Sequence, residues 1–580
     1  MDDSQKRETQ QRLQSCLPQI HEIHSICQTP SITFGVVHNG EVIFKHSIGH
    51  RDAQQTLPAN DETIYMIGSC SKMFTSAAVG ILVDEGKLSW TDPIRKYVPE
   101  FDPVDDPRIG QEADIIDCLR HSTGLSPPSM LCLGPGGTIL TDEEDLIPLL
   151  NVMPAVDGEG KERFNREWIY NNYVVGLVAL IVQRVSGQRF ADFVRGRILD
   201  PLGMRRTAVR RSDLGGDGNV AAPCVKKSNG RFHGLSDESW PCEEYTPLLA
   251  ATGMRSCLND MLTWCIAVLD AERSENDSSY QSQVPNNPLK QMTRVRRGYW
   301  TRPADDPEFS KDAAYGMGWF RADIPSSMLS AFSGNGFSRE KEYRLHLQHI
   351  LGKGSEAAPF QVVGHTGGMR GSIFSVFTFP ETQSAIVTMT NGRDFGDASD
   401  FTAQLLIQAL FDMKPTLDLA SWARTEAQLA GSNYQKHIER PWRENRHLGD
   451  LERDPLLYVG DYRSFNGRFT LSIGGVADGW STNLSVKFNH RNASECPLVF
   501  YRKDVYSFYQ VDEDKWKIQQ IGAREYKQML LKFQVDEGGN SVEGLWWQWD
   551  ADTKPAWFEN VRNRNSTQKG APFLVKSYSG

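Results

Sequence analysis

The strand-forming segments of this 580-residue chain lie at the two ends of its first 400 residues. Residues 32–37 and 42–44 are rich in β-branched and aromatic side chains and flank Asn39-Gly40, a pair typical of a two-residue hairpin turn. Similar runs return at 360–363, 372–379 and 384–390. Helical patterns occupy the residues between the two groups. We therefore predict an α+β domain in which both ends of the chain contribute to one sheet, with a helical region inserted between them.

The chain after Pro455 has a different pattern. Short β-type runs recur about every ten residues, at 458–462, 468–473, 483–488, 498–501, 505–509, 516–521, 528–533 and 542–549. Such spacing predicts a small antiparallel barrel or sandwich. We therefore expect a first domain over 1–413 with a loop-rich insertion at about 270–345, a linker over 414–450, and an all-β domain over 451–580.

The composition is that of a globular protein with a mild acidic charge. The 63 Lys and Arg against 73 Asp and Glu give a net charge of −10, so we expect no nucleic-acid partner. No apolar run reaches the ~20 residues that cross a bilayer, and the N-terminus lacks the apolar core of a secretory signal. The ten cysteines include no Cys-x-x-Cys pair. We therefore expect reduced thiols in a cytoplasmic protein with no membrane partner; the oligomeric state stays open.

The clearest helical pattern follows a serine and a lysine spaced three residues apart. Apolar residues at 70, 74, 77, 78, 81 and 82 predict a helix that begins near Ser69 and has Lys72 one turn on, on the same face. A lysine whose charge is disfavoured by burial can take the proton of a serine nucleophile. Ser-x-x-Lys also occurs at Ser338 and Ser566, but in polar stretches without this helical pattern. For Ser69 alone, a helix cap beside a surface lysine remains an alternative.

Two further segments carry polar residues suited to acyl chemistry. Tyr170-Asn171-Asn172 precedes a predicted helix over 172–186 and is the only Tyr-x-Asn in the sequence. A tyrosine near a lysine cation can have a lowered pKa and transfer protons, and an asparagine can hydrogen-bond an amide or ester. The alternative is an ordinary Tyr–Asn pair at a helix start.

The other segment, residues 364–368, reads Gly-His-Thr-Gly-Gly and lies between two strand-like runs. Its glycines allow a substrate to approach the strand edge, where a backbone N–H can bind an oxyanion. His365 can instead be a buried, hydrogen-bonded histidine of the core.

Together these elements resemble, in order and approximate spacing, the serine β-lactamase and penicillin-binding-protein superfamily. The chain is most similar to the class C branch, with its D-aminopeptidases, family VIII carboxylesterases and lovastatin-type acyltransferases. Stretches at 72–99, 119–125 and 315–319 resemble further family motifs, and the resemblance covers about residues 20–412. It implies an antiparallel sheet flanked by helices with an all-helical region. The tail is similar in pattern to the lipocalin-like barrels appended to some of these enzymes.

The resemblance also implies roles for the motif residues. Ser69 would be the acylated nucleophile, Lys72 and Tyr170 would share the proton transfers, and Asn172 would help to position the substrate. The backbone N–H groups of Ser69 and Gly368 would bind the oxyanion.

His365, Thr366 and Gly367 would belong to the same substrate-binding strand. His365 stands where many relatives have the lysine of Lys-Thr-Gly, as in the D-aminopeptidase and esterase branches. Binding of a substrate carboxylate is therefore not implied. No metal and no organic cofactor is expected.

We thus expect a serine hydrolase or acyltransferase that acts through a Ser69 acyl-enzyme on a small ester, amide or thioester. Its partners would be a small-molecule acyl substrate, with a carrier-bound thioester and an alcohol or amine acceptor among the candidates. Fungal relatives of this layout often serve natural-product pathways, which favours secondary metabolism. The alternatives are a D-aminopeptidase or amidase acting on short peptides, and a non-catalytic scaffold or sensor with the same fold.

Overall fold

A computed structural model defines most of the chain. It describes residues 3–157, 159–236, 246, 248–301, 313–326, 328–330, 333–335, 350–355, 360–369, 371–477, 482–509, 511–519 and 522–563. Ser338, Ser566 and parts of the expected insertion lie outside the described residues.

An eight-stranded antiparallel sheet forms the centre of the first domain, and both ends of that domain contribute to it. In order across the sheet the strands are Glu41–Gly49, Ser31–His38, Ser384–Thr390, Ser372–Phe379, Gln361–Met369, Phe320–Asp323, Ala314–Tyr315 and Trp300–Thr301. Ile32 pairs with Thr390, which joins the N-terminal hairpin to the strands that arrive more than 350 residues later. The predicted sheet is confirmed. Two further strand pairs are small: Tyr65–Met66 with Arg255–Ser256, and Cys224–Lys226 with Phe232–Gly234.

Helices cover both faces of this sheet. Along the strand Ser384–Thr390, Ala385 and Val387 belong to a core shared with the helix Ser71–Asp84, whereas Ile386 belongs to a core shared with the helix Ala398–Leu410. This alternation is the period of two expected of a strand buried on both sides. The described helices are Asp3–Ser15, Leu17–Cys27, Ser71–Asp84, Pro107–Glu112, Ile115–Leu119, Ser129–Cys132, Leu146–Leu150, Asn172–Ser186, Phe190–Val194, Asp200–Leu202, Leu258–Asn276, Met292–Val295, Ala398–Leu410, Leu419–Tyr434, Arg440–Glu444 and Glu513–Gln519.

The stretch expected as an insertion at 270–345 is partly sheet. The strands Trp300–Thr301, Ala314–Tyr315 and Phe320–Asp323 complete one side of the eight-stranded sheet. Strands of two to four residues are too short to show a sequence period, which is why this stretch looked like a loop.

The C-terminal part is a closed antiparallel barrel. Its eight strands are Gly460–Ser464, Phe469–Ala477, Thr482–Phe488, Cys496–Arg502, Val505–Ser507, Leu530–Val535, Val542–Trp547 and Ala556–Asn560. The first and last strands pair through Tyr462 and Asn560, which closes the sheet. The predicted all-β barrel is confirmed.

One predicted strand of the barrel region is wrong. Trp516 and Ile518 alternate with polar residues, but residues 513–519 form a helix. Asp512 accepts a hydrogen bond from the backbone N–H of Lys515 at 2.9 Å, and acidic residues fill the first turn. These capping contacts favour a helix and outweigh the short alternation.

Residues 414–450, expected as a linker, contain two helices that pack against both domains. Trp422 lies 5.2 Å from the ring of Phe401 in the first domain, and the indole N–H of Trp442 donates to Ser507 of the barrel at 3.1 Å. The barrel also contacts the first domain directly, where Asn489 donates to the carbonyl oxygen of Leu140 at 2.6 Å.

Among the described residues, no single helix is long and apolar enough to cross a bilayer. The helices Asn172–Ser186 and Phe190–Leu202 reach the length and apolar character of a span only when taken together, and the chain bends by 75° between them.

Candidate active site

Ser69 lies in a one-turn 3₁₀ helix, Gly68–Cys70, that leads directly into the helix Ser71–Asp84. The side chain is half-buried, so its hydroxyl can reach a ligand. Ser71 fixes this turn, because its hydroxyl donates to the Gly68 carbonyl at 2.7 Å and accepts from the Met254 N–H at 3.1 Å. The serine is therefore held at a helix start, where negative charge is stabilised.

The strand Gln361–Met369 lies against the Ser69 turn so closely that only glycine fits at the contact. A Cβ on Gly367 would lie 1.9 Å from the Ile67 carbonyl oxygen and 3.1 Å from the backbone nitrogen of Ser69. A Cβ on Gly68, which has φ +50°, would lie 2.9 Å from the backbone nitrogen of Gly368. The contact brings the backbone nitrogens of Ser69 and Gly368 to the same small region, as an oxyanion hole requires.

Lys72 is fully buried in the first turn of the helix that follows Ser69. Its Nζ donates to the Ala251 carbonyl oxygen at 3.0 Å and lies 4.7 Å from the centre of the Tyr170 ring. Burial lowers the pKa of Lys72 from 10.5 to about 7. At neutral pH much of this amine is therefore unprotonated and able to accept a proton.

Tyr170 precedes the helix Asn172–Ser186, and its hydroxyl is hydrogen-bonded to Ser69. Its ring packs 4.3 Å from the ring of His121. A neighbouring lysine cation can lower the pKa of a tyrosine, but here burial raises the pKa of this phenol. The reason is that burial disfavours the phenolate, while Lys72, with its own lowered pKa, gives little compensating positive charge. Tyr170 is a neutral phenol at pH 7.

His365 is buried and held by two hydrogen bonds within the site. Its Nδ1 lies 2.5 Å from the Thr366 carbonyl oxygen, which can only accept, so Nδ1 carries the proton. Nε2, 3.0 Å from the Tyr315 hydroxyl, is then the acceptor. Burial first, and then the charge of Lys72, lower the pKa of His365 to about 3. The His365 ring is therefore neutral, and it does not supply the positive charge that a lysine would have at this position.

Asn171 and Asn172, at the start of the helix Asn172–Ser186, differ in their hydrogen bonds. Asn171 is fully buried, caps the helix by accepting from the Tyr173 N–H at 2.9 Å, and donates to the Leu125 carbonyl at 3.1 Å. Asn172 is half-buried, and its Oδ1 has no hydrogen-bond partner among the described residues. Asn171 is therefore structural, whereas the buried Oδ1 of Asn172 is not exposed to a ligand in this structure.

The structure thus brings Ser69, Lys72 and Tyr170 together, with the strand of His365, Thr366, Gly367 and Gly368 beside them. Sequence reasoning did not assign His121 or Tyr315 to the site, although both lie in stretches that resemble family motifs. His121 accepts from the Asn171 N–H at 3.2 Å and so supports the Tyr170 segment. Ala251, whose carbonyl holds Lys72, has no side-chain signal that could have identified it.

Comparison with known proteins identifies relatives of this chain. A family model described as Beta-lactamase matches residues 16–409. Penicillin-binding protein 4* of Bacillus subtilis is 26% identical over 35% of this chain and 42% of its own length. Unguisins hydrolase ungD of Aspergillus violaceofuscus is 22% identical over 71% of this chain and 67% of its own length.

A solved structure extends the similarity of fold across both domains. The octameric penicillin-binding protein homologue from Pyrococcus abyssi aligns over 92% of this chain and 97% of its own, with a TM-score of 0.50 and 20% identity. The chain spans about two fifths of the length of the first curated relatives that it matches. The family model, however, covers more than half of the chain. The chain belongs to the Beta-lactamase family, and so to the superfamily of serine β-lactamases and penicillin-binding proteins.

Proposed function

We propose that this protein is a serine hydrolase or acyltransferase that works through an acyl-enzyme on Ser69. One observation carries the proposal: the Ser69 hydroxyl is hydrogen-bonded to Tyr170, and the buried amine of Lys72 lies against the ring of that tyrosine. A nucleophile, a proton carrier and a base with a pKa near 7 are thereby in one place.

In the acylation step, Ser69 Oγ attacks the substrate carbonyl carbon and forms a tetrahedral oxyanion. The serine proton passes to the Tyr170 oxygen as the phenol proton moves to the neutral amine of Lys72. The positive charge therefore ends on Lys72 and the negative charge on the former carbonyl oxygen, close to the backbone nitrogens of Ser69 and Gly368. Collapse of this intermediate breaks the bond to the leaving group, which takes a proton back from Lys72 through Tyr170.

Release of the acyl group repeats the same steps with a new nucleophile. Water, an alcohol or an amine loses its proton to the Tyr170–Lys72 pair and attacks the acyl-enzyme carbonyl. Ser69 then leaves and is reprotonated by the same pair. With water as the acceptor the reaction is a hydrolysis, and with an alcohol or an amine it is an acyl transfer.

The substrate that we propose is a small ester, amide or thioester of secondary metabolism. The support comes from the similarity to a fungal hydrolase that is named for its action on unguisins.

Labelling with a fluorophosphonate probe tests the nucleophile. The wild type is expected to be labelled and Ser69→Ala is expected to lose the label, together with hydrolysis of a chromogenic ester. Ser76→Ala is the matched control, because Ser76 lies in the same helix and, among the described residues, its hydroxyl bonds only to the helix carbonyls of Lys72 and Met73. Labelling that persists in Ser69→Ala would place the nucleophile elsewhere, and an unlabelled wild type without esterase activity would favour a non-catalytic scaffold.

A further inference from the structure

His121 binds the backbone on both sides of Tyr170. Its carbonyl oxygen accepts a hydrogen bond from the backbone N–H of Ile169 at 3.0 Å. Its Nδ1 accepts a second one from the backbone N–H of Asn171 at 3.2 Å. One residue therefore fixes both chain neighbours of the proposed proton carrier, once through its main chain and once through its side chain.

The His121 ring also packs against the side chain of Tyr170. The two ring centres lie 4.3 Å apart, with an angle of 49° between the ring planes. The amine of Lys72 lies 4.7 Å from the centre of the same Tyr170 ring, whose hydroxyl is hydrogen-bonded to Ser69. A proton can pass through the phenol only while the ring keeps this position, and a shift of about 1 Å can lower a rate by about 100-fold.

The hydrogen bond to Nδ1 defines the protonation state of the His121 ring. A backbone N–H can only donate, so Nδ1 is unprotonated and the proton of the neutral ring is on Nε2. Burial first, and then the neighbouring Lys72 and His365, lower the pKa of His121 well below its ordinary value of 6.5. The ring is therefore neutral at the pH values at which Lys72 can accept a proton, and Nδ1 remains an acceptor for the Asn171 N–H.

Two features of His121 cost stability and are not needed for packing. Nε2 is buried and, although it carries a proton, has no hydrogen-bond partner among the described residues. The backbone has φ +64°, a left-handed conformation that is uncommon for residues other than glycine. An apolar side chain would avoid the unpaired donor, but it could not accept the bond from Asn171. The acceptor is therefore the property for which a histidine is required here.

The turn that carries His121 is cross-linked on both sides of this residue. The Asp117 carboxylate accepts from the Arg120 guanidinium at 2.7 Å and from the Ser122 hydroxyl at 3.0 Å. Nε of Arg120 donates to the same Ser122 hydroxyl at 2.9 Å. His121 lies between Arg120 and Ser122, so its position is fixed independently of the Tyr170 segment that it binds.

We propose that His121 is a positioning residue for the proton transfer of the Ser69 reaction. It holds the Tyr170 phenol at the place where a proton can pass between the serine hydroxyl and the lysine amine. This inference rests on the proposed acyl-enzyme function and adds to it a residue that acts through Tyr170. His121 itself exchanges no proton and takes no part in bond making or bond breaking.

A double-mutant cycle with Tyr170 tests the proposal. The kcat and KM for 4-nitrophenyl butyrate are measured for the wild type, His121→Leu, Tyr170→Phe and the double variant. In the wild-type background His121→Leu is expected to lower kcat by about 10–100-fold and to change KM by less than about twofold. In the Tyr170→Phe background the same substitution is expected to lower kcat by less than about threefold, because the hydroxyl that it would misplace is already absent.

Three further variants separate the acceptor from backbone strain and from the general loss of a histidine. His121→Asn keeps an acceptor, because Oδ1 is as many bonds from Cα as Nδ1 and asparagine tolerates positive φ, and it is expected to retain kcat within about threefold. His121→Gly relieves the positive φ but removes the acceptor, so it is expected to lose kcat as His121→Leu does. His38→Leu removes a histidine whose Nδ1 is hydrogen-bonded to Ser384 at 2.8 Å beside the hairpin turn, and it is expected to keep the wild-type kcat.

The positioning role and the proposed function fail separately. An equal loss from His121→Leu in both backgrounds would overturn the positioning role, because it would show that His121 supports the fold and not Tyr170. A loss in His121→Asn as large as that in His121→Leu would overturn it as well, since the acceptor would then have no effect. Melting temperatures show which variants are folded, and His121→Gly replaces His121→Leu in the cycle if the leucine variant does not fold. If Ser69→Ala keeps the wild-type rate, the proposed function itself fails.

Discussion

Replacing Lys72 with methionine is expected to stabilise the fold while it abolishes catalysis. In the unfolded chain the Lys72 amine keeps its proton up to a pH near its ordinary pKa of 10.5. In the folded protein the amine loses this proton above about pH 7, because its pKa is lowered to about 7. Between these values the unfolded state binds more protons, so the free energy of unfolding of the wild type rises with pH by about 1.4 kcal/mol per pH unit. At pH 7 the buried amine therefore costs the fold about 4 kcal/mol.

Part of the stabilisation that comes from removing the buried amine is offset in Lys72→Met. Methionine fills a similar volume but leaves the Ala251 carbonyl without its 3.0 Å hydrogen bond, which costs about 1–3 kcal/mol. The net stabilisation at pH 7 is then about 1–3 kcal/mol, and it should fall by about 2 kcal/mol between pH 7 and pH 9.

Urea unfolding of the wild type and Lys72→Met at pH 7, 8 and 9 measures this difference. Lys87→Met is the control, because Lys87 lies just beyond the same helix but is exposed and pairs with Glu85 at 2.9 Å. Its stability difference from the wild type should not change with pH. A Lys72→Met difference that is the same at all three pH values would refute the argument that burial lowers the pKa of this amine.

Three further predictions concern the reaction itself. The kcat/KM for ester hydrolysis by the wild type should rise with pH and level off above about 7, because the Lys72 amine must be neutral to accept a proton; a flat profile from pH 5 to 8 would contradict this. Tyr170→Phe should lower kcat by about 100–10,000-fold, the usual contribution of a proton-transfer group, with little change in melting temperature; a loss below tenfold would show that the phenol is dispensable. Gly367→Ala should reduce kcat by about 100-fold or more, because the new Cβ would lie 1.9 Å from the Ile67 carbonyl oxygen. Gly196→Ala is the control: its Cβ meets nothing within 4 Å, so this variant should retain the wild-type rate in the same assay.

The sequence predicts those parts of the fold whose signals are local. Asn39-Gly40 forms the expected hairpin turn with positive φ at both residues. The helix Asn172–Ser186 ends where Gly187 adopts φ 72°. Turn and cap residues act on their immediate neighbours, so their effect can be read from a few positions.

The remaining features depend on contacts between distant segments. The approach of Gly367 to Ile67, the carbonyl of Ala251 beside Lys72, and the guanidinium of Arg393 beside Gly368 each join residues far apart in the chain. The raised pKa of Tyr170 is of the same kind, because it depends on how much of the chain covers the phenol. A single sequence contains no local pattern for such contacts.

Ser69 is expected to carry the acyl group during turnover. The most direct measurement is mass spectrometry of tryptic peptides from protein quenched during the hydrolysis of a 4-nitrophenyl ester. Trypsin cleaves after Arg51 and after Lys72 and so releases the peptide 52–72, which contains Ser69. We expect the mass of the acyl group on this peptide in the wild type and no such mass in Ser69→Ala. An acyl group found on a peptide that does not contain Ser69, or turnover in Ser69→Ala at the wild-type rate, would contradict the account.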